Sequence, residues 1–148
     1  MRYHEAGLRP GFRFSHAAKL KGGNEIEIWG DGEQTRSFMY IDDCLHGTRA
    51  IMGSGHIDYP INLGSEEKVS INQLIDLVED IAGITPIRRY DLSAPKGVNG
   101  RNSENTMIRE ALGWEPSISL RDGIEKTYSW IYDQMKSGAS ATSVVNIA

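Results

Sequence analysis

The stretch from Glu25 to Asp43 constrains the fold most, because strand, turn and helix signals follow one another in it without a gap. Glu25 to Trp29 (EIEIW) alternates polar and apolar residues, as a half-buried strand does. Gly30-Asp31-Gly32 is a turn signal, since glycine takes positive φ without strain. Ser37 to Ile41 reads as a second strand, with Phe38 and Tyr40 on one side and Met39 and Ile41 on the other. Asp42 or Asp43 is then placed to cap a helix by accepting a bond from a free backbone N–H. The turn leaves Gln34, Thr35 and Arg36 together at a sheet edge. An arginine fork suits a phosphate there, and the amide and hydroxyl add orientable donors. On these residues alone, a solvated arginine on a surface turn explains the pattern at least as well.

The rest of the chain alternates helix and strand signals. Residues 1–14 contain Gly7, Pro10 and Gly11, show no period and are expected to be poorly ordered. Ser15 to Lys21 reads as one or two helical turns ending at Gly22-Gly23. A helix is expected from about Asp43 to Met52, closed by Gly53-Ser-Gly55, and a short strand from Pro60 to Leu63. Ser70 opens the clearest helix: Ser70 and Gln73 form a capping box and Gly83 stands at the stop. Ile71, Leu74, Ile75, Val78 and Ile81 fall on one of its faces.

Pro86 to Tyr90 reads as a strand, and Ala94 to Arg101 as a loop with turn signals at Pro95 and Asn99-Gly100. Asn105 to Leu112 is a short helix burying Met107, Ile108, Ala111 and Leu112 and closed by Gly113. A last helix starts at Ser119 or Leu120 with Ile124, Tyr128, Ile131 and Met135 inward, and residues 137–148 form a flexible tail. Trp29, Trp114 and Trp130 are expected in the core. The alternation indicates an α/β fold, but about four strands are few for a complete doubly wound sheet.

Composition narrows the function. A chain of 148 residues fits one domain. Sixteen basic against 20 acidic side chains give a net charge of −4, which argues against a nucleic-acid binder. Cys44 is the single cysteine, so no internal disulfide forms, and it reads as a small core residue. His4, His16, His46 and His56 lack metal-ligand spacing, so no metal site is expected. No apolar run approaches the roughly 20 residues of a membrane span. The opening MRYHEAGLRPG lacks the apolar core of a signal peptide, so a cytoplasmic soluble protein is expected. Gly30-x-Gly32-x-x-Thr35 is a near miss to a dinucleotide fingerprint: the third glycine is absent, and a strand follows where a helix is needed.

Two blocks carry a family resemblance. The first is Trp29 to Asp43. The second is Gly97-Val-Asn-Gly-Arg101-Asn-Ser-Glu-Asn105, followed by Leu112-Gly-Trp114-Glu-Pro116, Asp122-Gly123 and Thr127-Tyr-Ser-Trp130. Together they resemble the extended short-chain dehydrogenases/reductases that act as NAD-dependent sugar-nucleotide epimerases and dehydratases, in particular the GDP-mannose 3,5-epimerases. The match runs roughly from Lys19 to Met135.

The resemblance implies an α/β fold that is the C-terminal, substrate-binding portion of such an enzyme, with few strands and an incomplete Rossmann domain. Residues 15–136 would be the sugar-nucleotide binding domain, including one strand and one helix of the NAD domain. It also implies that Gln34, Thr35 and Arg36 contact the nucleotide-sugar and that Arg101 does so too. By sequence alone Arg101 reads equally as a loop arginine paired to Glu104 or Asp91. Lys19 matches a family lysine that touches substrate, across a one-residue gap. The family's Glu-Lys-Ala run, which holds a catalytic lysine, has no counterpart near Arg9-Pro-Gly-Phe-Arg13. Tyr132-Asp-Gln-Met-Lys136 matches the superfamily's Tyr-x-x-x-Lys spacing, but at the end of the last helix, where it reads as coincidence.

No catalytic and no cofactor-binding residue is therefore expected. NAD serves the full-length family by accepting and returning a hydride, and none is expected to bind this chain alone. The implied partner is a nucleotide-diphosphate sugar, with homodimerisation or association with an NAD-binding domain besides. The chain reads as the substrate-binding part of an epimerase, inactive alone, with a stand-alone nucleotide-diphosphate binding or dimerisation module as the alternative. The Ser37–Ile41 strand, without a larger sheet to pair in, would leave the monomer marginal or self-associating.

Overall fold

A computed structural model describes residues 25–95 and 97–136. The expectations for residues 1–14, Ser15–Lys21, Lys19 and residues 137–148 lie outside the described residues. Among the described residues, four strands and four helices follow the order β1 (Glu25–Trp29), β2 (Thr35–Arg36), α1 (Ile41–Gly53), β3 (Val69–Ser70), α2 (Ile71–Ala82), β4 (Ile87–Asp91), α3 (Thr106–Leu112) and α4 (Leu120–Lys136).

The helix opened by Ser70 centres the packing. Its capping box is complete: Ser70 Oγ accepts from the Gln73 amide at 3.1 Å, and the Ser70 amide donates to Gln73 Oε1 at 2.8 Å. Gly83 ends the helix in the left-handed conformation at φ 63°, where a side chain would be strained. Between these ends the apolar stripe divides. Ile75 meets Ile26 and Ile28 of β1, while Leu74, Val78 and Ala82 meet Ile124 and Tyr128 of α4. Helix α2 thus lies between a sheet and a helix, and burial on both flanks holds it there.

β1 and β4 pair in parallel, Glu25 opposite Ile87 through Trp29 opposite Asp91. Ion pairs lace this layer together. Arg88 reaches Glu79 at 2.7 Å and Asp76 at 2.5 Å on α2, Arg89 reaches Glu25 at 3.2 Å, and Arg121 ties α4 to Asp80 at 2.6 Å. The Glu79 bond outweighs burial, and with Asp76 it holds the Arg88 guanidinium above its ordinary pKa.

Several expectations are corrected. The strand expected over Ser37–Ile41 does not form: the ladder stops at Arg36, and α1 already begins at Ile41. Tyr40 keeps an extended backbone (φ −69°, ψ 149°), but no strand pairs with it among the described residues. Local β propensity was legible there, whereas a ladder also needs a neighbour. Tyr40, not an aspartate, occupies the N-cap without a side-chain bond, and Asp42 and Asp43 lie in the first turn.

Asp43 instead works across the fold. Its buried carboxylate accepts from Ser117 N–H (3.0 Å), Ser117 Oγ (2.9 Å) and Ile118 N–H (2.9 Å), fastening α1 to the approach of α4. The Pro60–Leu63 strand is absent too: the segment enters no ladder, and Asn62 donates to the Glu104 carbonyl. Met107 is exposed while Ile108 is fully buried, so α3 buries a narrower face than expected. Trp29 and Trp130 are exposed at 44% and 53%, and Trp114 is half-buried beside Gly47. Trp29 lies on the outer face of a two-stranded sheet, where its indole donates to Glu27. Cys44 is half-buried on α1.

Candidate functional site

The site is a meeting of three chain segments. β2 and β3 pair antiparallel, Thr35 opposite Ser70 and Arg36 opposite Val69. On its other side Thr35 forms a parallel bridge with Gly100. The Thr35 amide donates to the Asn99 carbonyl at 2.8 Å, and the Arg101 amide donates to the Thr35 carbonyl at 3.4 Å. Arg36 and Arg101 each directly follow a residue of this bridge, so the segments that carry them, 65 positions apart in the chain, are bonded to one another.

Neither arginine is neutralised by its surroundings. Arg36 is half-buried and donates from Nη1 to the Thr35 carbonyl at 2.6 Å. Arg101 is exposed. Among the described residues neither makes an ion pair with a carboxylate. The two acids proposed from sequence as Arg101 partners are engaged elsewhere: Glu104 accepts from Thr106, and Asp91 from Ser93. These bonds, foremost the side-chain bonds from Thr106 and Ser93, hold both carboxyls below their ordinary pKa. Two arginines on bonded segments, neither ion-paired among the described residues, suit an anion.

Gln34 anchors the segment rather than standing free. Its Nε2 donates to the Trp29 carbonyl at 3.1 Å, and its own carbonyl accepts from the Ile71 amide at 3.2 Å. Its Oε1 is buried without a partner among the described residues. The structure therefore brings Gln34, Thr35, Arg36 and Arg101 together, and Lys19 lies outside the described residues. Sequence reasoning passed over Gly97 and Gly100, which flank the site. A Cβ on Gly97, at φ 69°, would lie 3.8 Å from Arg36 Nη2, and one on Gly100 would lie 2.6 Å from Thr35 Oγ1. The glycine spacing ahead of Arg101 was the available signal.

The Gly30–Gly32 turn is not a dinucleotide fingerprint. It leads into β2 rather than into a helix. The space a Cβ would need at Gly32 is filled by the Asn72 side chain at 2.2 Å, so nothing can approach that backbone. Tyr132 and Lys136 sit on α4, with Lys136 Nζ 4.4 Å from the centre of the Tyr132 ring. No group of His, Cys, Asp and Glu suited to hold a metal ion occurs among the described residues. No described helix is long and apolar enough to cross a membrane.

The model of the NAD dependent epimerase/dehydratase family matches residues 8–64. GDP-mannose 3,5-epimerase 1 of Oryza sativa subsp. indica is 41% identical over 113 residues, 76% of this chain and 29% of the relative. GDP-mannose 3,5-epimerase of Arabidopsis thaliana is 38% identical over 124 residues, 84% of this chain and 32% of the relative. The solved UDP-glucuronic acid 4-epimerase from Bacillus cereus, in complex with UDP-glucuronic acid and NAD, is 32% identical with a TM-score of 0.74, covering 83% of this chain and 40% of that one. The chain thus spans less than half the length of the proteins it matches. Sequence and fold agree that it belongs with the NAD-dependent epimerase/dehydratase family of extended short-chain dehydrogenases/reductases, as a match to part of its members' length.

Proposed function

We propose that these residues form the substrate-binding portion of a GDP-mannose 3,5-epimerase-like enzyme, with Arg36 and Arg101 holding the diphosphate of a nucleotide-sugar. One observation supports this most: the Thr35–Gly100 bridge joins the segments carrying two arginines, neither ion-paired among the described residues. A diphosphate presents oxygens along a short span, and two guanidinium forks bind it while fixing its direction. Gln34 and Thr35 hold the backbone that carries Arg36, and the Thr35 hydroxyl adds a donor. Lys19 is retained as a further contact to the substrate, on the strength of the family pattern alone.

The chemistry of the whole enzyme rests on NAD, which takes up and returns a hydride at a sugar carbon. The contribution proposed for this chain is to bind and orient the nucleotide-sugar. Alone, it is expected to bind a nucleotide-sugar and to be inactive, in a cytoplasmic setting.

Titration of the purified chain with GDP-mannose, GDP and mannose tests this. GDP-mannose and GDP are expected to bind, mannose to bind far more weakly, and Arg36→Ala or Arg101→Ala to weaken GDP by about 10- to 100-fold each. Equal affinity of both variants and wild type for GDP would defeat the diphosphate role.

A second reading has its own support. Phe38, Ile41, Leu45, Met52 and Trp130 are all exposed, and Phe38, Tyr40, Leu120, Ile124 and Trp130 line an open apolar groove. Such a surface suits docking of an NAD-binding domain or of a second copy. Light scattering over a range of concentrations tests it: a strictly monomeric chain at every concentration would count against self-association.

A further inference from the structure

We infer that Gly100 is a positioning residue for the arginine pair, acting through its contact with Thr35; the inference rests on the diphosphate reading of that site. Gly100 does not owe its identity to its backbone angles. Among the described glycines, positive φ occurs at Gly30, Gly32, Gly55, Gly83, Gly97 and Gly113, but not at Gly100. Steric closeness is the remaining constraint. A Cβ built on Gly100 would lie 2.6 Å from Thr35 Oγ1, well inside van der Waals contact, and Thr35 is its bridge partner.

Thr35 has little room to yield, because its backbone is bonded on both sides. It pairs with Ser70 of β3 on one flank and with Asn99 and Arg101 on the other. Its β-branched side chain is also stiff at χ1. A side chain at position 100 therefore pushes the two segments apart, or turns the Thr35 hydroxyl away. The bond already near its limit, Arg101 N–H to the Thr35 carbonyl at 3.4 Å, gives first. That bond ties the segment carrying Arg101 to the one carrying Arg36. Gly100 thus keeps the two arginine-bearing segments joined, and with them the site where both would hold an anion.

A double-mutant cycle on the 148-residue chain tests this, with GDP as the probe. Gly100→Ala is expected to weaken GDP about 10-fold or more in the wild-type background. In a Thr35→Ala background the obstructing Oγ1 is gone, so the same change is expected to cost less than about 3-fold. Thermal midpoints of Gly100→Ala and wild type are expected to agree within about 2 °C, which separates positioning from loss of fold. Equal losses in both backgrounds, or no loss in the first, would overturn the inference.

If wild type binds no GDP, the diphosphate reading fails on its own. The Gly100 contact is then judged by hydrogen exchange at the Arg101 amide. Gly100→Ala must speed that exchange in the wild-type background and not beside Thr35→Ala; any other result overturns the contact as well.

Discussion

Arginines do opposite work in two regions of this molecule. In the β1–β4–α2 layer, Arg88 bridges Asp76 and Glu79, Arg89 meets Glu25, and Arg121 meets Asp80 and Glu125. Arg109 is likewise held by Glu66 and Glu115. At the edge formed by β2 and the Gly100 loop, Arg36 and Arg101 sit on bonded segments and neither pairs with a carboxylate among the described residues. Arg49 on α1 also lacks an ion pair among the described residues, so an unpaired arginine alone signals little. Two of them on segments joined by a backbone bridge are the basis for the ligand proposed there, since an anion would bind both. The first region uses its charges to join elements; in the second, the proposed function gives them to a ligand.

The largest expected effect breaks the second region. Arg36→Ala combined with Arg101→Ala should abolish measurable GDP binding by calorimetry, with a thermal midpoint near that of wild type. A matched fall in the midpoint would instead make these arginines structural. The next effect breaks the first region. Arg88→Ala strands Glu79, whose side chain is only 11% exposed, and should cost about 1–3 kcal/mol in urea unfolding with GDP affinity unchanged. A loss below a few tenths of a kcal/mol would reduce the Arg88 lattice to surface decoration.

Ser70→Ala should cost about 1 kcal/mol by the same unfolding measurement, because it removes the cap of α2. It probes the ligand edge as well, since Ser70 pairs with Thr35.

The smallest effect concerns acid. Burial pushes the Asp43 carboxyl up, but bonds from Ile118 and Ser117, with attraction from His46, outweigh it and hold the pKa below its ordinary value. A depressed folded pKa contributes stability that is full above the unfolded value, about pH 4, and is lost as pH falls through the folded value. Asp43→Asn should therefore lower stability at pH 7 and flatten its decline between about pH 4 and pH 2, read from thermal midpoints. An unchanged acid slope would show that Asp43 is not the titrating latch.

What could be read in advance follows the range of the interactions. Capping of α2 by Ser70 and Gln73, its stop at Gly83 and the alternation of β1 depend on neighbours in the chain, and all appear where the residue pattern put them. Phe38 to Tyr40 carried the same kind of strand signal, yet no ladder forms, because pairing requires a second segment that propensity does not supply. The outward Trp29 and Trp130 show the same limit for burial: bulk and apolarity argue for a core, but packing decides which face receives a covering layer. Asp43 was legible as a helix-start acid, while its bonds to Ser117 and Ile118 were not.

The candidate site divides along the same line. Residue type allowed a phosphate site at Gln34, Thr35 and Arg36 no better than a solvated surface turn, and family resemblance alone supplied the nucleotide-sugar role and added Arg101. Only the tertiary structure joined the segments carrying Arg36 and Arg101 and showed that neither arginine is ion-paired among the described residues. Helix caps and strand alternation are set by atoms within a few residues of one another, so order along the chain suffices. A bridge between Thr35 and Gly100 exists only once the chain has closed on itself, and the spacing of the two guanidinium-bearing segments is a property of that closure.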